Sequence, residues 1–302
     1  MKVDLHQHIW TTPLLDKLAS RDRVPLVRRE DGLTILDSAG ELPYVIAVES
    51  EAPENRAARV REDGLDLAVV AISSPIGIEA LPRESALELI DAHLEGVLSL
   101  PSGFAAWGPI ALDNAEADEV DNLLARGCVG ISIASGAIAG PDRLDRIGHV
   151  LERVAARGVP LFVHPGFAPG QYPGSSELDE PLWWRPLTEY VSQMQAAWLT
   201  FAGLGRREFP DLKVVFAMLG GGAPLLTERL SARGGPAIDL LDPNTFYETS
   251  SYGPAAIGMM AERVGELQLV YGSDRPVIDP QTTGRNRQLQ INAGDLLTMV
   301  NV

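Results

Sequence analysis

Residues 65–73 read LDLAVVAIS. A short run this apolar and this rich in β-branched residues, without a polar alternate face, is the pattern of a strand buried on both sides, as in a parallel sheet covered by helices. Toward the C-terminus it is followed by an amphipathic helix over roughly residues 83–100, and the pair then recurs. Residues 104–110 precede a helix at 114–126, residues 128–134 (CVGISIA) precede 143–157, and residues 160–164 (PLFVH) precede a long helical segment through 183–206. Each helix in turn ends near a glycine able to serve as its C-cap. Residues 212–219, 245–249 and 267–272 supply three more strands, and toward the N-terminus residues 3–6 supply the first. Eight β/α units predict a (β/α)8 TIM barrel, read as a single domain over residues 1–302.

The rhythm breaks once, between the first strand and the second, where an insertion occupies approximately residues 10–60. It carries Arg21, Arg23, Arg28 and Arg29, then a β-hairpin pattern at 33–36 and 44–48 around a Ser38-Ala39-Gly40 turn. Because it leaves the C-terminal end of strand one, it is expected to form a lid or rim over the face where barrel enzymes place their sites. The Pro- and Gly-rich piece 165–181 reads as an extended loop after strand five.

Composition narrows the partners. Forty-one acidic against twenty-five basic side chains give a net charge of −16, which repels nucleic acid and anionic membrane surfaces. The single cysteine, Cys128, excludes an intrachain disulfide and a cysteine metal cluster. With no signal-peptide pattern and no membrane-length apolar run, the expectation is a cytoplasmic protein acting on a small molecule.

Five histidines occur, and His6 and His8 are separated by one residue at the end of strand one. In an extended strand residues i and i+2 project to the same side, so both imidazoles can point into the barrel mouth and share a metal ion, although packing explains such a pair equally well. His164 ends strand five, and Asp274 lies just past strand eight. Together they place three nitrogen donors and one carboxylate on the C-terminal face, a set suited to one divalent ion, zinc before manganese.

With these residues in place, the sequence resembles the amidohydrolase superfamily, and within it the amidohydrolase-2 branch, which contains aminocarboxymuconate-semialdehyde decarboxylase, resorcylate-type decarboxylases and some lactonases. The matching pieces are DLHQH (4–8), VHPG (163–166), VVFAMLGGGAP (214–224) and YGSDRP (271–276), in the expected order along nearly the whole chain. The resemblance implies that His6, His8, His164 and Asp274 form the metal site, that Asp274 also transfers protons as the catalytic group, and that the protein forms a homodimer. It implies hydrolysis or non-oxidative decarboxylation of a carboxylated ring or lactone. One position departs: where the branch usually has a histidine after strand six, this chain has Met218, whose thioether neither transfers protons nor matches imidazole as a ligand. Three readings follow, namely an enzyme relying on Asp274 alone, a metal-independent lactonase-like chemistry, and a catalytically decayed binding barrel.

Further candidates have plainer explanations beside them. Trp10 and Met218 are expected to line the substrate pocket. Arg275 either clamps a substrate carboxylate or pairs with a structural acid such as Asp279. Tyr247, Ser250 and Ser251 end strand seven at the active face, with Ser250 the candidate substrate contact, though such strand ends are also ordinary turns. The arginines of residues 21–29 could attract an anionic substrate, a solvated charged surface being the simpler reading. Trp183 and Trp184 read as packing or subunit interface, and His93 and His149, within predicted helices, as structural or surface residues. Gly220, Gly221 and Gly222 lack the partners of a nucleotide-binding loop and read as a tight turn.

Overall fold

The apolar runs do what their composition dictates. The computed structural model describes residues 1–39, 41–171 and 180–299. Among them, β1 (Val3–Gln7) is followed by β2 (Leu26–Glu30), β3 (Leu33–Asp37) and β4 (Tyr44–Ile46), and then by β5 (Leu67–Val70), β6 (Phe104–Pro109), β7 (Gly130–Ala134), β8 (Leu161–His164), β9 (Val214–Phe216), β10 (Thr245–Glu248) and β11 (Leu269–Val270). Eight of these strands pair in parallel in the order β1-β5-β6-β7-β8-β9-β10-β11. Three backbone bonds bring the last strand round to the first: Leu5 N–H to Tyr271 O at 3.0 Å, Asp274 N–H to His6 O at 2.8 Å, and His8 N–H to Arg275 O at 2.7 Å. The result is a nearly closed (β/α)8 TIM barrel with helices between the strands.

Alternation along the strands stacks the interior. Phe162 and His164 share one side of β8, and Phe162 packs its ring 5.2 Å from that of Trp107 and 5.2 Å from that of His6. The Trp107 indole donates to Leu5 O at 2.8 Å, so the floor beneath the histidines is both apolar and hydrogen-bond satisfied.

The insertion differs from expectation by one strand. The predicted hairpin is present, with Leu36 opposite Tyr44 and Thr34 opposite Ile46, but β2 completes a three-stranded antiparallel sheet. Its signal is Asp31-Gly32, a two-residue connection with φ of 50° and 79° between Glu30 and Leu33, which is the backbone a tight hairpin turn demands. The charged composition of β2 conceals it from an apolar-pattern search. Of the expected Ser38-Ala39-Gly40 turn, Gly40 lies outside the described residues, as do 172–179 of the expected 165–181 loop. The segment predicted as helix over 183–206 divides into an α-helix, Trp184–Thr200, and a π-helical turn, Phe201–Gly205. Among the described residues, no helix is long and apolar enough to cross a membrane.

Strand six is shorter than the eight residues predicted, and the reason bears on the site. After β9 the chain enters a left-handed turn in which Met218, Leu219, Gly220, Gly221 and Gly222 have φ of 53°, 53°, 61°, 62° and 73°. For Met218 and Leu219 this conformation costs roughly 1–2 kcal/mol per residue, whereas the glycines adopt it freely. The triple glycine is thus a turn, and the strained residue at its head faces the barrel mouth.

Candidate metal centre

β1 ends by pointing two imidazoles the same way. His6 and His8 are nearly inaccessible to solvent, and their Nε2 atoms stand 3.1 Å apart. From the end of β8, His164 brings its Nε2 to 3.0 Å from that of His6. Asp274 follows β11 in a left-handed conformation with φ of 59°, and its Oδ1 lies 3.1 Å from His8 Nε2 and 3.4 Å from His6 Nε2. All four donor atoms fall within 4.8 Å of one another.

The outer nitrogens define what the inner ones offer. His8 Nδ1 faces Ala71 O at 2.9 Å, His164 Nδ1 faces Pro165 O at 2.9 Å, and His6 Nδ1 faces Glu248 Oε2 at 3.0 Å. These partners can only accept, so each Nδ1 carries a hydrogen and donates it, which leaves each Nε2 as a lone pair turned inward. Three lone pairs and a carboxylate then confront one another. Burial disfavours a charge on His6, but Asp274 and Glu248 raise its pKa to about 9. One proton on its Nε2 bonds a single neighbour at a time, whereas a cation satisfies all four donors. Ligands about 2.1 Å from a tetrahedral zinc stand about 3.4 Å apart, close to the 3.0–3.4 Å contacts found here. The four residues therefore fit a divalent ion. Burial pushes the Asp274 carboxyl upward, but His6, His8 and His164 together hold it below its ordinary value; burial and the neighbouring His6 and His8 drive His164 well down.

Above these groups opens a cavity of about 330 Å³. Its walls are largely apolar, with Trp10, Tyr44, Ile76, Leu182, Met218 and Val277 among them, and Leu36, Leu42 and Pro43 of the insertion complete the rim. Tyr190 donates its hydroxyl to Glu41 Oε1 at 2.8 Å, tying the insertion to the helix after β8. The lid or rim expected of the insertion is realised as this wall. Trp10 is held by its backbone N–H on Glu51 Oε2 at 2.9 Å, while its buried indole N–H has no hydrogen-bond partner among the described residues.

Two expected substrate contacts lie elsewhere. Arg275 is drawn to Asp63 at 3.2 Å and Asp279 at 3.3 Å and borders a separate groove with Glu51 and Arg56, which is its structural alternative. Ser250 is buried off the cavity, donating its hydroxyl to Glu248 Oε2 at 2.8 Å. Tyr247 points outward, accepting from the Trp198 indole at 3.0 Å. Of the insertion arginines, Arg28 pairs with Asp37 and Glu30 and Arg29 with Asp16, while Arg21 donates to Pro25 O at 2.8 Å. Trp183 and Trp184 are exposed, with ring centroids 5.6 Å apart. Sequence reading passed over Glu248, although strand alternation would have found it, since 246, 248 and 250 share the face opposite to 247.

A parallel barrel with a three-histidine, one-carboxylate cluster at its C-terminal mouth defines the class of metal-centred barrels. The sequence profile of the amidohydrolase family (Amidohydro_2) matches residues 3–293, and the chain belongs to that family. No curated protein matches the sequence. Among solved structures the chain is similar to IDCase from Metarhizium anisopliae in apo form, with 16% identity, 99% of this chain and 97% of that one covered, and a TM-score of 0.74. It is also similar to dihydroxybenzoic acid decarboxylase from Polaromonas, with bound manganese and the inhibitor 2-nitroresorcinol, at 18% identity, 99% and 97% coverage and a TM-score of 0.63. A third is 5-carboxyvanillate decarboxylase from Novosphingobium aromaticivorans, complexed with manganese and 4-hydroxy-3-methoxy-5-nitrobenzoic acid, at 15% identity, 99% and 89% coverage and a TM-score of 0.63.

Proposed function

We propose that the protein is a divalent-metal-dependent decarboxylase of a small hydroxylated aromatic acid, with His6, His8, His164 and Asp274 as the metal ligands and Asp274 as the proton-transfer group. The observation that carries this reading is the convergence of three inward Nε2 lone pairs and one carboxylate beneath an apolar cavity. An ion held by these four residues would supply Lewis acidity toward the substrate's charged oxygens.

This chain's residues do the rest. Asp274 takes the proton of the substrate hydroxyl and returns it to the ring carbon as the carbon–carbon bond breaks, the bonding pair staying on the ring and the carboxylate leaving as carbon dioxide. Met218 and the apolar walls strip water from that carboxylate. Met218 offers no second acid or base, so Asp274 alone would carry the proton in either reaction, and the decarboxylases among the similar structures favour decarboxylation over hydrolysis.

Hydroxybenzoates and lactones supplied to protein loaded separately with manganese and with zinc test the reading. Carbon dioxide release that disappears on chelation is expected. Lactone opening without carbon dioxide release would move the assignment to hydrolysis, and turnover indifferent to chelation would remove the metal from it.

A further inference from the structure

We propose that Glu248 is the positioning residue of the metal centre, fixing the tautomer and aim of His6 and tethering the Met218 turn to the same carboxylate; this rests on the metal reading above. Glu248 is fully buried at the last position of β10. Its Oε2 accepts from His6 Nδ1 at 3.0 Å, from the Ser250 hydroxyl at 2.8 Å and from the Met218 backbone N–H at 3.2 Å, while Oε1 accepts from the Ser250 backbone N–H. Gly272 makes the room: a Cβ there would stand 2.1 Å from Glu248 Oε1.

The three ligand imidazoles are thereby unequal. His8 and His164 lean on neutral carbonyls, and His6 leans on a buried carboxylate, which makes its Nε2 the most electron-rich donor of the set. The same carboxylate holds the first residue of the left-handed turn, so one group sets both a ligand and the cavity wall that Met218 forms.

The experiment titrates chelator-stripped wild type, E248Q, E248L and S250A with manganese and with zinc alone, and follows the metal-free thermal midpoint of each. E248Q keeps shape and an acceptor oxygen but loses the charge, and an affinity about 10–100-fold below wild type is expected. A larger loss is expected for E248L and a smaller one for S250A. Wild-type affinity in a folded E248Q overturns the proposal. Independently of any variant, zinc-loaded wild type with nitrogen-15 histidine is expected to show the His6 proton on Nδ1, shifted downfield of those of His8 and His164; a proton on His6 Nε2 overturns it. Should wild type bind neither metal, the metal reading falls, and this proposal falls with it.

Discussion

Two sets of equally buried histidines sit in this molecule and behave oppositely. At the barrel mouth, His6, His8 and His164 each have an acceptor on Nδ1 and turn Nε2 toward a common point. Within the helix Arg83–Leu98, His93 is as buried, but neither of its ring nitrogens has a hydrogen-bond partner among the described residues. Burial, with His8 nearby, drives His93 down to about 3, while carboxylates raise His6 to about 9 despite burial. Burial alone therefore says nothing about function. What separates a ligand from a neutral packing residue is the acceptor behind the ring and the charge in front of it.

The largest effect is expected at Asp274, the charge in front of the rings: Asp274→Asn should lower kcat about 10²–10⁴-fold, and activity near wild type in a metal-replete assay would detach the carboxylate from catalysis.

Stability reports on His93. Its folded pKa near 3 lies below the ordinary 6.5, so between those values the unfolded chain binds more protons, and stability is lost as pH falls from 6.5 toward 3. His93→Leu should flatten that loss by up to about 1.4 kcal/mol per pH unit while leaving metal stoichiometry unchanged. An acid limb as steep as that of wild type would show that His93 is not neutral in the folded protein.

Glu79 mirrors it as an acid. Burial raises its carboxyl from 4.5 to about 8, one oxygen held by the Ser74 hydroxyl at 2.8 Å and the other without a hydrogen-bond partner. Here the folded state binds more protons, so stability falls as pH rises from 4.5 to 8. Glu79→Gln should remove that slope, which denaturant titrations across the range would detect. Smallest is the effect expected at the insertion, where Arg28 and Arg29 are already paired with acids. The double Arg28→Ala, Arg29→Ala variant should change KM less than about twofold, because surface pairs of this kind contribute little; a several-fold rise would restore a steering role.

How much of this was legible beforehand depended on periodicity. The eight strands, the inward HxH pair and the positions of His164 and Asp274 all follow from alternation in short runs, and the barrel brings them together as expected. What escaped was set by pairing or parity. β2 is polar and announced only by Asp31-Gly32. Arg275 found Asp63, a partner more than two hundred positions away that no local pattern contains. Ser250 misses its expected substrate contact because its hydroxyl bonds Glu248 rather than opening to the cavity, and Glu248 itself was not among the expected site residues. The left-handed run at Met218 was visible only as three glycines, which mark where the backbone is permissive and not what it presents.

The cluster of His6, His8, His164 and Asp274 is expected to hold a metal. The most direct measurement is metal content by mass spectrometry on protein purified without chelators, with the His6→Ala, His8→Ala double variant prepared in the same run. About one divalent ion per chain in the parent and none in the variant is the expected result. A parent without metal, or a variant with undiminished stoichiometry, would contradict the account.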